Sequence, residues 1–489
     1  MTSPALARTP SGDLRGVDRG GALRFAGVPF ARADRFAPPQ PVDPWKGVRD
    51  AQEPGPAAPQ VITPLEKLLS GEDLPTDEHG CLTLNVWTPA CDHERRPVLV
   101  WVHGGAFATG TGRSSWYDGT ALVRRGDVVV VTFNYRLGAL GFSHGLAPGS
   151  GNLGLLDQVT ALRWVRDHIA AFGGDPTNVT LFGESAGGAS VAALLALPES
   201  DGLFHRAVAQ SPSLTQLRTA ERGRQATAEL LALLGLSAED ADGLARLDVA
   251  TLVEHQNRLL TDNLAGITAA SPTADGEVLP ATLTALRHAA AARRVPLLLG
   301  TTRDEMALFS AFDPKHAALD DAALGVIAHR TFGDGADEAL SAYRHDRPDA
   351  STPQLAVAIA TDAAFRLPAI RLAEARAAAG SDTWLYWFTW PTPAFGGVLG
   401  ACHGIEIPFV FHNLSQPGVE MFLGHGPERH ALADAVADTW LAFARHGSCP
   451  WPTYEPARRT VLRIDVEREL ITDPEAATRQ AWDGLPAWP

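Results

Sequence analysis

The stretch TLFGESAGGASV, Thr180–Val191, sets a serine between two glycines where an apolar, β-branched run gives way to small residues. Before it, NVTLF at 178–182 predicts a strand, and GASVAALLAL from Gly188 onward predicts a helix. GESAG is then a five-residue turn joining the two. Glycines at 183 and 187 let strand and helix approach closely and force Ser185 to the apex, the geometry of a strained turn that displays a nucleophile. A bare Gly-x-Ser-x-Gly is a weak signal in a chain with 46 glycines, but the flanking strand and helix give it a structural context. The competing reading makes Ser185 a helix N-cap. Because a serine hydroxyl is a poor nucleophile until a base, an orienting acid and an oxyanion site are supplied, the remaining residues decide between them.

Outward from this turn, short apolar runs recur at 97–102 (PVLVWV), 128–135 (VVVVTFNY), 206–211 (RAVAQS), 295–300 (VPLLLG) and 383–388 (TWLYWF). Nearly continuous runs of this kind suit strands buried on both faces. In LGLLDQVTALRWVRDHIAAFGG, Leu155, Leu156, Val159, Leu162, Val165, Ile169 and Phe172 recur at helical spacing, and Gly173 supplies a stop. Strands alternating with helices predict an α/β fold with a mostly parallel central sheet flanked by helices. From about 215 to 375 the sequence turns Ala/Leu-rich and helical, read as an insertion covering the active edge of the sheet, with a separate helical domain as the alternative.

Of 489 residues, 45% are hydrophobic and 20% charged, as in an ordinary globular protein. A net charge of −15 and only three lysines, at 46, 67 and 315, disfavour a nucleic-acid surface. Cys81, Cys91, Cys402 and Cys449 are too few and scattered for a disulfide framework and form no paired metal signature, so neither metal nor cofactor is expected. The Pro-rich run Arg35–Trp45 reads as extended surface coil. No apolar stretch is long enough for a membrane span, and MTSPALARTPSGDLRG lacks the apolar core of a signal peptide, so a cytoplasmic location is expected.

The parts Ser185 needs appear in order. WVHGGAFATG, Trp101–Gly110, follows a predicted strand, and its Gly104, Gly105 and Ala106 carry almost no side chain to obstruct their amides; with the amide of Ala186 they would make an oxyanion site. His103, beside those glycines, reads as a structural hydrogen-bonding residue, not the base. After the run at 295–300 come Asp304 and Glu305, and spacing alone does not choose between them as the acid. After the run at 383–388 comes GGVLGACHGIEIPFVF, in which His403 has the backbone freedom of neighbouring glycines; His205, His288 and His430 sit in helix-like or charged surroundings.

These residues resemble the type B carboxylesterases, the branch of the α/β-hydrolases that includes cholinesterases and bacterial para-nitrobenzyl esterases. FGGDPTNVTLFGESAGG, Phe172–Gly188, is similar to the family's serine active-site pattern. NYRLGALGF at 134–142, GNLGLLDQ at 151–158, PTADGEVLP at 272–280, GTTRDE at 300–305 and LGACHGIEIPFVF at 399–411 resemble family blocks in the same order. The likeness runs over essentially the whole chain, which implies one α/β-hydrolase catalytic unit, 1–489, with the 215–375 segment as its insertion. It implies Ser185 as nucleophile, His403 as base and Glu305 as acid in preference to Asp304. Gly105, Ala106 and Ala186 become the oxyanion donors. Glu184 is expected beside the serine in the gorge, its carboxylate pointing elsewhere from the turn, and Ser211 to support the acid from behind.

Two departures narrow the substrate. Cys81 in EHGCLTLNVW has no upstream partner, so the disulfide loop of secreted members cannot form, and residues 61–80 contain no aromatic to hold a quaternary ammonium. The para-nitrobenzyl branch is therefore the closer likeness. The expectation is a monomeric serine esterase acting on small-molecule carboxylic esters, short-chain or aryl; an amidase, carbamate or lactone hydrolase using the same residues is the alternative, and a non-catalytic binding protein the most remote.

Overall fold

The computed structural model describes residues 5–62, 74–147, 149–237, 240–262 and 270–485. Most of the aromatic-free 61–80 segment, residues 63–73, lies outside the described residues. The architecture is built on an 11-stranded sheet. Its strands are β1 (Val17–Asp18), β2 (Leu23–Pro29), β3 (Thr83–Thr88), β4 (Arg96–Val102), β5 (Val129–Phe133), β6 (Gly174–Glu184), β7 (Arg206–Gln210), β8 (Leu297–Thr302), β9 (Thr383–Phe388), β10 (Thr460–Ile464) and β11 (Glu469–Thr472). Their order across the sheet is β11-β10-β9-β8-β7-β6-β4-β5-β3-β2-β1. From β10 through to β5 every pairing is parallel, and the antiparallel pairs are confined to the two edges.

The six apolar runs read as strands are the six central parallel strands, β4 to β9. The outer strands β1–β3, β10 and β11 carry no such run and were not legible: β11 is mostly exposed, and β3, although buried throughout, breaks its apolar residues with Thr and Asn. Alternation along β4 shows why its apolar run is continuous. Val98, Val100 and Val102 face one core, while Leu99 and Trp101 face the other.

The first core lies under helices α1 (Leu153–His168), α2 (Ala186–Ala196), α3 (Leu283–Ala292) and α4 (Leu367–Ala378), the second under α5 (Glu428–His446), whose Trp440 is fully buried. Between β7 and β9 the chain therefore supplies a central strand, β8, and two sheet-covering helices, α3 and α4. Further helices in this stretch assemble clusters of their own, such as Leu324, Phe332, Tyr343 and Ile359 around Trp482. A bidentate pair, Arg136 with Asp157 at 2.8 Å, ties the segment after β5 to α1 with both side chains buried. Among the described residues no helix is long and apolar enough to cross a membrane.

The turn between β6 and α2 is tighter than a five-residue connection. The strand runs through Glu184 and the helix begins at Ala186, leaving Ser185 alone to reverse the chain with φ 58° and ψ −120°. Strand and helix then touch: a Cβ on Gly187 would overlap the carbonyl oxygen of Val102, and one on Gly183 would lie 2.7 Å from the Gly187 backbone. Gly187→Ala is accordingly expected to destabilise the fold by about 1–3 kcal/mol through overpacking, seen as a lower urea midpoint. A wild-type midpoint would show that the helix can lift from the sheet freely.

Candidate active site

Ser185 sits 8% exposed at the C-terminal end of the parallel strands, where ligand sites of open α/β sheets form. Its hydroxyl caps nothing in α2, so the N-cap reading does not hold. The backbone is pinned instead: Ser185 N–H donates to Gln210 O at 3.0 Å, and its carbonyl accepts from Ala189 and Ser213. Opposite lies the loop after β4, where Gly105, Ala106 and Phe107 take φ of 112°, 53° and 60°. The Gly105 carbonyl accepts from Ala108 and Thr109 N–H at 3.0 and 2.9 Å, which fixes the loop. No acceptor among the described residues takes the N–H groups of Gly105, Ala106 or Ala186. Gly104 packs directly on the serine, since a Cβ there would stand 3.1 Å from Ser185 Cβ.

The adjacent acids after β8 separate in role. Glu305 is wholly buried, and its Oε2 accepts from His403 Nδ1 at 2.6 Å while Oε1 accepts from Thr302 N–H at 2.8 Å. Asp304 turns the other way, accepting from Arg347 Nη1 at 3.0 Å and from Ala401 N–H at 2.9 Å. It thus ties the loop after β8 to the loop that carries His403. Arg347 in turn reaches Glu475, which also holds Arg366. Ser211 departs from expectation. Its N–H donates to Gly300 O and φ is 41°, but the buried hydroxyl has no hydrogen-bond partner, so support of Glu305 from behind falls to the Thr302 amide.

Glu184 turns toward the histidine: its Oε1 lies 3.0 Å from His403 Nε2, with both side chains buried. The reason is that Glu184 is the last strand residue, so the reversal at Ser185 leaves its side chain on the rim where His403 arrives. The two atoms are close but not aligned as a hydrogen bond. A third buried carboxylate, Glu406, accepts from Gln210 Nε2 at 3.0 Å, and Gln210 Oε1 accepts from Trp440 Nε1 at 3.0 Å. Nothing in the sequence marked Glu406, which is simply one more polar residue in an apolar run.

Burial alone would lower the basicity of His403, but Glu184 and Glu305 flank its two nitrogens and together outweigh it, raising its pKa above the ordinary value. Glu184 is raised by burial and by its carboxylate neighbours Glu406 and Glu305, against the pull of His403. His103 contrasts with His403. Its Nδ1 donates to Gly104 O at 2.8 Å, its ring stacks on Tyr135 at 4.4 Å, and burial lowers its pKa to about 4, so it stays neutral.

Aromatic rings complete the surroundings of His403. Phe365 stands 4.7 Å away, centroid to centroid, and Phe309 5.4 Å. Phe365 projects from a π-helical turn, Asp362–Arg366, held by Arg366 to Asp362 and Glu475. No sequence period announces such a turn. Among the described residues no group of three or more His, Cys, Asp or Glu is arranged to hold a metal ion.

The comparisons with known proteins agree with this fold. Residues 3–482 match the carboxylesterase family. The para-nitrobenzyl esterase of Bacillus subtilis is 36% identical over 493 residues, spanning 97% of this chain and 98% of that protein. Phenmedipham hydrolase of Pseudarthrobacter oxydans is 36% identical over 98% of this chain and 100% of its own. A crystal structure of a carboxylesterase from Geobacillus stearothermophilus matches with TM-score 0.86 at 41% identity, covering 98% of this chain and 100% of that one. The chain belongs to the carboxylesterase family and is a carboxylic ester hydrolase of the α/β-hydrolase fold.

The flanking carboxylates set a pH dependence. Neutral His403 is the form able to take a proton, so removing the Glu184 carboxylate that helps hold the His403 pKa up makes the neutral form available at lower pH. Glu184→Gln is expected to move the acidic limb of kcat/KM to lower pH by about one pH unit. An unmoved limb would mean that Glu184 is already uncharged in the free enzyme.

Proposed function

We propose that the chain hydrolyses short-chain and aryl carboxylic esters through a covalent acyl-enzyme, with Ser185 as nucleophile, His403 as general base and Glu305 as its orienting acid. One observation carries the reading. The buried bond of 2.6 Å from Glu305 to His403 Nδ1 leaves Nε2 as the free nitrogen, and that nitrogen faces Glu184, the residue preceding Ser185. Ser185 Oγ attacks the ester carbonyl as Nε2 takes its proton, and Glu305 stabilises the resulting imidazolium and holds its tautomer. The N–H groups of Gly105, Ala106 and Ala186 receive the oxyanion. His403 then protonates the departing alcohol, and water repeats the sequence on the acyl-enzyme. Glu184 adds negative charge beside the imidazolium. Helices within 215–375 wall the pocket, with Phe365 as its apolar face toward His403.

The names of the para-nitrobenzyl and other esterase relatives support an ester substrate, and the absence of aromatics in 61–80 speaks against choline esters. Four free cysteines support a reducing, cytoplasmic setting, and a monomer suffices because all proposed groups come from one chain. Ser185→Ala is expected to lower turnover of para-nitrophenyl acetate by about 10⁴- to 10⁶-fold and to abolish labelling by a fluorophosphonate. An unlabelled wild-type chain would refute the nucleophile. An ester-to-amide ratio of kcat/KM near one would move the assignment to an amidase.

A further inference from the structure

Phe309, Phe312 and Phe395 are the exposed phenylalanines among the described residues, at 55, 57 and 45%. All three lie on the two segments that leave Glu305 and lead into His403. Phe309 touches the His403 ring, and Phe312 meets Phe395 edge to face at 5.3 Å and 81°, bridging the segments. Val398, 48% exposed, extends the same surface. From Met306 to Phe312 and from Thr389 to Cys402 no residue is charged.

The backbone adds an independent observation. Phe395 adopts φ 52° and ψ 34°, a left-handed conformation that bulky side chains rarely take, followed by Gly396 at φ 69° and Gly397 at φ 79°. A third glycine would accept this turn without strain. The chain instead holds a phenylalanine there, in water, against a second exposed ring. Strain and apolar exposure both oppose folding, and their coincidence on the segment that leads into His403 marks a binding role.

We propose that Phe312 and Phe395 form a subsite that stacks an aryl group on the leaving-group side of the scissile ester. This rests on the esterase reading above and extends its substrate class to esters carrying a second aromatic ring, such as aryl diesters. The side follows from the chemistry. His403 hands its proton to the departing alcohol, so the alcohol portion leaves past His403, and Phe309, which touches that imidazole, lies three residues before Phe312 on the same segment. An uncharged, ring-lined lip selects a neutral planar group over a charged one.

The test compares ethylene glycol dibenzoate with 2-hydroxyethyl benzoate, which share the scissile benzoyl ester and differ in the second ring. Benzoate release gives kcat/KM for each. Phe312→Ala and Phe395→Gly are each expected to lower the diester-to-monoester ratio by about tenfold, through KM. The Tm of Phe395→Gly should be no lower than that of the wild type, because the strained residue is relieved; a lower Tm would give Phe395 a structural role and overturn the proposal. An unchanged ratio in active variants overturns the lip alone, whereas a wild-type chain inactive on both esters brings down the esterase reading beneath it. Dissociation of a dimer by these substitutions, with the ratio unchanged, would assign the face to a second copy of the chain.

Discussion

The site depends on a reversal of the chain at one residue. Between the last strand residue, Glu184, and the first helical residue, Ala186, only Ser185 is available to turn the backbone, and it does so at φ 58°. That conformation is unfavourable for a residue with a side chain, at roughly 1–3 kcal/mol, and persists only where surrounding contacts over-determine it. Here they do. The Ser185 N–H and C=O are both taken, β6 is locked in parallel register between β4 and β7, and Gly183 and Gly187 remove the side chains that would hold strand and helix apart. The same reversal decides where Glu184 goes, and through Glu184 the electrostatic setting of His403.

Around that turn the protein gathers more buried charge than the proposed triad requires. Glu184, Glu305 and Glu406 all lie near one imidazole, in an interior where isolated carboxylates are costly and where a proton shared within the group relieves the cost. Rigidity comes from an ionic framework outside the reacting groups. Asp304, Arg347, Glu475 and Arg366 run in one connected set from the loop after β8 to the π-turn that presents Phe365. Buried pairs of this sort contribute little net stability over apolar packing, yet breaking one leaves an uncompensated charge. Their effect is to hold three segments distant in sequence at one geometry.

Much of this was legible along the chain. Central strands announced themselves as apolar runs because both faces are buried, and the serine turn because a strand, two glycines and a helix leave few alternatives. His403 stood out by its glycine neighbours. The choice between Asp304 and Glu305 was open to spacing and came from family resemblance; in the structure it reflects which carboxylate meets the imidazole and which meets Arg347 and the Ala401 amide. The side-chain directions of Glu184 and Ser211 were not legible, for a common reason. Each adjoins a positive-φ turn, at Ser185 and at Ser211 itself, where side-chain direction follows from backbone angles that no residue pattern encodes.

By itself, then, the sequence determined the class of fold, the position of the Ser185 turn and the order of the residues gathered around it. Those follow from local periodicity and from residue types that few other conformations accept. Tertiary structure alone decided which atoms meet: Glu184 against Nε2, Asp304 against Arg347, Gln210 between Glu406 and Trp440, and the pairing of Phe312 with Phe395. These contacts join residues far apart in the chain, and their geometry is set by sheet register and single backbone torsions, quantities that arise only when the whole sheet has assembled.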